Sequence, residues 1–152
     1  MQKNKYSITI MAPAQKVYNT MLGLDDKSTY EFWTAAFNPT STYEGSWDAG
    51  SKIMFVGTDE QGKRGGMISE IAENKPGEFV SIRHFGFLDG DLEITTGEQV
   101  EKWAGGRENY HFSEIDHVTT VTVEMDSIEE YADYFNKTYP MALLKLKEIA
   151  EK

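Results

Sequence analysis

The chain has 152 residues, 39% hydrophobic and 26% charged, which is the balance of a water-soluble globular domain and excludes a disordered or membrane-embedded chain. Its 25 acidic against 15 basic residues leave a net charge of −10, so phosphate backbones and anionic lipid are unfavourable partners. Cysteine is absent, which excludes disulfides, thiolate metal sites and cysteine nucleophiles.

Tyr6 to Ile10 alternates at period two and predicts a strand. Pro13 then suits a helix start, where its missing N–H is no loss. Val17, Tyr18 and Met21 give that helix an apolar side, and Gly23 ends it. Asp26 or Ser28 can cap a second short helix carrying Tyr30, Phe32, Trp33 and Phe37, broken at Asn38-Pro39. Strands follow at Ser41 to Trp47, Lys52 to Val56, about Gly66 to Ala72, and Phe79 to Phe87, with turn clusters between them. Arg107 to Ile115 and Val118 to Met125 read as a Thr- and Val-rich hairpin around Asp116-His117.

Leu88 to Gly106 is long for a loop, contains Gly and Glu, and can hold a helical turn at Glu98 to Trp103; segments of this length are often lids or partner surfaces. Ser127 to Lys152 predicts a helix, with Ser127 and Glu130 at capping-box spacing. Its apolar stripe runs through Tyr131, Phe135, Thr138 and Ala142, then rotates past Pro140 to Tyr139, Leu143, Leu146 and Ala150, as a proline kink requires. No repeat or linker divides the chain, so one domain over residues 1–152 is expected, with an insertion at about 88–106. The order is α+β: a curved antiparallel sheet wrapped around the long C-terminal helix, with two short helices after the first strand.

Ala12-Pro13-Ala14-Gln15-Lys16-Val17-Tyr18-Asn19-Thr20-Met21, the aromatic pair Phe32-Trp33, and Ala49-Gly50-Ser51-Lys52-Ile53-Met54-Phe55 carry a family pattern. Gly62, Gly66 to Ile71 with Glu70, Pro76, Phe79-Val80, and the tail Tyr139, Leu143 and Leu146 continue it. Nearly the whole chain resembles the SRPBCC superfamily, the START-like helix-grip proteins. Within it, the chain is similar to homologues of the activator of the ninety-kilodalton heat-shock protein ATPase. It departs from the pattern at Tyr18, where the family usually has Trp, at Pro140, and in the length of the 88–106 insertion.

The resemblance implies a cavity between sheet and last helix, with the insertion over its mouth. Strand parity nominates Ile53, Phe55, Phe79, Phe85, Tyr110, Phe112, Val121 and Val123 as its lining, with Trp33, Phe37, Phe135 and Tyr139 from the helices. Aromatics of about 150–250 Å² each can equally fill such a space as solid core. The ligand contacts expected from this parity are Trp33, Phe37, Ile53, Phe55, Phe85, Tyr110, Phe112, Phe135 and Tyr139, joined by Arg83. Family parity points Arg83 inward toward a ligand carboxylate or carbonyl; alternatively a bulge turns His84 in and leaves Arg83 in water.

Other motifs carry less. Gly57 to Lys63 approaches a phosphate loop but lacks the hydroxyl residue and the following helix, so a hairpin is expected. Asp89, Asp91 and Glu93 suggest a calcium loop, yet Ile94 stands where glycine is needed. His84, His111 and His117 match no metal spacing, and no catalytic residue, metal or cofactor is assigned. No apolar run reaches the roughly 20 residues of a bilayer crossing, and the N-terminus has no signal-like stretch, so a cytoplasmic protein is expected. The expected function is non-catalytic binding of a small apolar or amphipathic ligand, without nucleic-acid or membrane partners. The alternatives are a chaperone-ATPase-activator-like module that binds a protein partner, and a cyclase- or hydrolase-like enzyme using the same cavity.

Overall fold

In the computed structural model, which describes residues 1–152, strand β1 (Gln2–Ile10) passes through Pro13 into helix α1 (Ala14–Leu22). Helix α1 buries Val17, Tyr18, Met21 and Leu22, and Gly23 ends it in the left-handed conformation at φ 69°. A Cβ at Gly23 would lie 2.9 Å from the Tyr30 Cβ, so glycine also lets the second helix turn back closely. Helix α2 (Lys27–Thr34) is capped by Asp26, whose side chain accepts from the Ser28 N–H at 3.0 Å. It stops at Thr34, earlier than the Asn38-Pro39 break suggested, and Phe37 lies beyond its end.

Strands β2 (Thr42–Gly45), β3 (Lys52–Thr58), β4 (Arg64–Lys75) and β5 (Phe79–Asp89) form an antiparallel run. A short strand β6 (Leu92–Ile94) and a single-turn helix α3 (Glu98–Glu101) lie within the insertion. Strands β7 (Arg107–Ile115) and β8 (Val118–Ser127) form the expected hairpin, and Asp116 and His117 both take positive φ at its turn. The sheet has eight strands in the order β1-β8-β7-β5-β4-β3-β2, with β6 added to β5.

Helix α4 (Glu129–Ala150) lies in the cradle of this sheet. Tyr139, Ala142, Leu143, Leu146 and Ala150 are buried with Val80, Ile82, Tyr110, Phe112, Val121 and Val123 in one core. Each large side chain withdrawn from water stabilises the fold by roughly 1.5–3 kcal/mol, so this seam holds helix to sheet.

Two expectations for α4 need correction. Ser127 does not cap the helix: β8 runs through it, its Oγ accepts from Asn4 Nδ2 at 2.8 Å, and Ile128 takes the cap position without a side-chain bond. Tyr131 is not on the buried stripe but 51% exposed, because the first turns of α4 reach past the core and Ala132 faces inward instead. Pro140 stands inside the helix on its exposed side, between the buried Tyr139 and Ala142.

Candidate functional site

The pairing of β4 with β5 decides which side chains face the helix. Ser69 opposes His84, Glu70 opposes Arg83 and Ile71 opposes Ile82, but Ile68 opposes Gly86. Phe85 is therefore the extra residue of a β-bulge, which reverses the parity of the strand on either side of it. Before the bulge, Val80, Ile82 and His84 are the buried inner positions. After it, Phe87 faces inward opposite Met67, while Gly86 and Leu88 fall on the outer face. Phe85 packs there with Val56, Ile68 and Leu88. Of the two arrangements considered for Arg83, the strand takes the bulged one. Arg83 is half-buried on the outer side, with Nε 2.9 Å from Glu70 Oε1 and its guanidinium over the Phe85 ring.

The bulge also brings His84 into a buried polar chain. Its Nδ1 lies 2.6 Å from Ser69 Oγ and its Nε2 lies 3.0 Å from Glu108 Oε1. The Tyr139 hydroxyl donates to the other oxygen, Glu108 Oε2, joining the chain to α4. A carboxylate only accepts, so the His84 Nε2–H donates to it and Nδ1 accepts from the Ser69 hydroxyl. Both ring nitrogens are thereby occupied. Burial first, then the negative charge of Glu108, pushes the phenols of Tyr30, Tyr110 and Tyr139 well above their ordinary range.

Above this chain is a cavity of about 530 Å³, with His84 in its wall. Met67 and Phe87 line it from the sheet, Met125, Asp126 and Ser127 from the end of β8. The insertion contributes Gln99, Lys102, Trp103 and Gly106, and α4 contributes Glu130, Tyr131, Tyr134 and Phe135. The insertion thus forms one wall of the space. It is tied down at His84, whose N–H donates to Gly106 O at 3.0 Å and whose carbonyl accepts from the Gly105 N–H at 2.9 Å. Trp103 rests edge-on to Phe87, with ring centroids 6.4 Å apart.

The residues nominated from sequence are divided by this geometry. Phe135 lines the cavity. Trp33, Ile53, Tyr110, Phe112 and Tyr139 are buried in the core beneath it, and Phe37 and Phe55 pack against that core. Trp33 also donates from Nε1 to Met21 O at 2.8 Å, fixing α2 on α1. Arg83 and Phe85 stand on the far side of the sheet, as does Phe79, which packs on the His111 ring rather than lining the cavity. No spacing in the sequence marks Ser69, His84 and Glu108 as a unit, and strict two-residue periodicity through Phe85, unlike the bulged alternative, puts His84 on the outer face.

The remaining motifs resolve into ordinary turns and ion pairs. Gly57 to Lys63 is the β3–β4 hairpin, where Asp59 Oδ1 accepts from the backbone N–H groups of Gln61 and Lys63. Asp89, Asp91 and Glu93 point to separate cations, Lys63, Arg64 and Lys52. His111 Nε2 meets Glu124 Oε1 at 2.7 Å, and His117 is exposed at the hairpin turn. No cluster of three or more His, Asp or Glu side chains is placed to hold a metal ion.

No protein-family model matches the chain, and no curated protein matches it. Solved structures do. The Aha1 dimer from Colwellia psychrerythraea superposes with a TM-score of 0.70 at 19% identity, covering 99% of this chain and 97% of that one. Protein Ms6760 from Mycobacterium smegmatis gives 0.69 at 15% identity, over 97% and 89% of the two chains. CalU16 from Micromonospora echinospora gives 0.63 at 15% identity, over 97% and 75%. The chain has the helix-grip fold. The family likeness read from sequence is thereby matched at the level of fold, and the helix-grip cradle is what places α4 over His84 and Glu108. No helix is long and apolar enough to cross a membrane.

Proposed function

We propose that this helix-grip chain binds a small amphipathic molecule in the cavity between β5, the 88–106 insertion and the first turns of α4. The observation that carries this reading is the cavity itself, about 530 Å³ with a mostly apolar wall and a few polar groups. That volume falls within the roughly 300–1,000 Å³ of small-molecule sites. Phe87, Trp103, Met125 and Phe135 supply the contact surface for an apolar body. The sequence-nominated residues in the core below act as its foundation, with Phe135 as their direct ligand contact. A ligand of about 25 heavy atoms at about −0.3 kcal/mol per atom would reach micromolar affinity.

Binding rather than catalysis is favoured because Ser69, the hydroxyl that His84 could activate, is fully buried and does not line the cavity. The test is native-state mass spectrometry of the purified chain, followed by acrylamide quenching of its tryptophans. Trp33 and Trp47 are buried and Trp103 is half-buried, so Trp103 reports on the cavity. An added small-molecule mass, or a ligand that shields Trp103, supports the reading. A screen of lipids and aromatic polyketides in which nothing is retained and nothing shields Trp103 removes it.

A second reading, a module that binds a protein partner, draws on Met141 and Leu144, 48% and 60% exposed on the outer side of α4. One fold neighbour is described as a dimer. Pull-down with an ATPase chaperone and an ATPase assay test it, and no capture with no stimulation argues against it.

A further inference from the structure

We infer that the cavity selects amphipathic organic cations over anions, with the charged head at the rim and the apolar body along β5. This rests on the ligand-binding reading above and names the chemical class of its ligand. Two independent features of the wall point the same way. The first is aromatic: Phe87, Trp103, Tyr131, Tyr134 and Phe135 all line one space. The negative face of an aromatic ring attracts a cation, most strongly for Trp, and repels a carboxylate.

The second feature is charge. Asp126 and Glu130 stand on the wall of the cavity, and Glu108 lies beneath it against His84. Glu108 has no Lys or Arg partner; its two oxygens meet only His84 and Tyr139. A carboxylate in such a poorly solvated place projects a field that water screens weakly. Two bases oppose these three acids: Lys102, exposed like Glu130, stands on the same wall, and Lys3 pairs with Asp126 at 3.8 Å, so the acids still outnumber them. The chain as a whole, at net −10, also steers cations toward it.

Calorimetry on the full chain with three probes of equal tail length tests the inference: octyltrimethylammonium, octan-1-ol and octanoate, each below micelle formation. The cation is expected to bind at least about tenfold tighter than the carboxylate, with the alcohol between them. Salt should narrow that gap while leaving the alcohol unchanged. In the double variant Asp126→Asn with Glu130→Gln, the cation should fall to within a few-fold of the alcohol. Asn at 126 keeps an oxygen for the Arg107 N–H, which Asp126 accepts at 2.9 Å. Octanoate binding as tightly as the cation, or a gap that survives both salt and the double variant, overturns the assignment. Equal binding of all three probes overturns the cation preference but leaves the ligand-binding reading standing, whereas no binding by any probe overturns both.

Discussion

His84 Nε2 stands 3.0 Å from Glu108 Oε1, joining two neighbouring strands through side chains as well as backbone. The same carboxylate receives the Tyr139 hydroxyl from α4, so Glu108 is the point at which sheet and helix share a polar contact inside an apolar core. Buried polar groups of this kind are costly to leave half-paired, and each member depends on the others.

Glu108→Ala should therefore destabilise the fold by about 3–5 kcal/mol, as deletion of one partner in a buried charged network does. Glu108→Gln, which keeps the shape and one acceptor, should lose less, about 1.5–3 kcal/mol. Urea denaturation of the two variants measures both. Equal stability of Glu108→Ala and the native chain would show that the contact contributes nothing.

The buried phenols set the alkaline limit. Burial, reinforced by Glu108, raises Tyr30, Tyr110 and Tyr139 above 10.0, the value they return to on unfolding. The folded state then holds protons that the unfolded state has released, so their contribution is intact below pH 10.0 and shrinks as pH rises toward the folded-state values. Denaturant titrations should show stability falling above about pH 10, with phenolate absorbance from these three residues appearing together with unfolding. Ionisation of all eight tyrosines in the still-folded chain would contradict this.

Gly66 is expected to be the glycine least tolerant of substitution. Its φ is +148°, and a Cβ there would lie 2.0 Å from the Phe55 carbonyl oxygen in the adjoining strand. Gly66→Ala should lower stability by about 2–4 kcal/mol and loosen the β3–β4 pairing. Gly62→Ala, also at positive φ but with open space around the new methyl, should lose only about 1–2 kcal/mol. Thermal melting of the pair decides the matter, and the order should not reverse.

Trp103→Ala should weaken ligand binding about tenfold or more with little change in melting temperature, since the ring packs on Phe87 at the cavity wall rather than in the core. Calorimetry with a ligand found by mass spectrometry measures the loss. Unchanged affinity would place the ligand elsewhere.

Much of the architecture was readable because it is written in local chemistry. The Asp26 cap, the Gly23 stop, the Asp116-His117 turn and the leucine tail each specify their own neighbourhood. The site was less readable. Its polar chain depends on Phe85 bulging out of β5, and a bulge is settled by how two strands fit together rather than by the strand's own alternation. Ser69, His84, Glu108 and Tyr139 lie on four separate elements, so no spacing in the chain links them. The Ser127 cap failed for a related reason: β1 claims that hydroxyl through Asn4.

The tract between Asp89 and Arg107 leaves β5 and comes back to bond the same strand at His84, so its two roots are only a few residues apart on one rigid support. Beyond the β6 pairing and the ion pairs of Asp91 and Glu93, the stretch between Ile94 and Gly105 can lengthen or shorten with little disturbance to the sheet. A trimmed tract would leave an open bowl and an extended one a sealed vault. Under the proposed ligand-binding function, that gives a single stretch of chain control over which guests the scaffold admits, while the scaffold itself stays as it is.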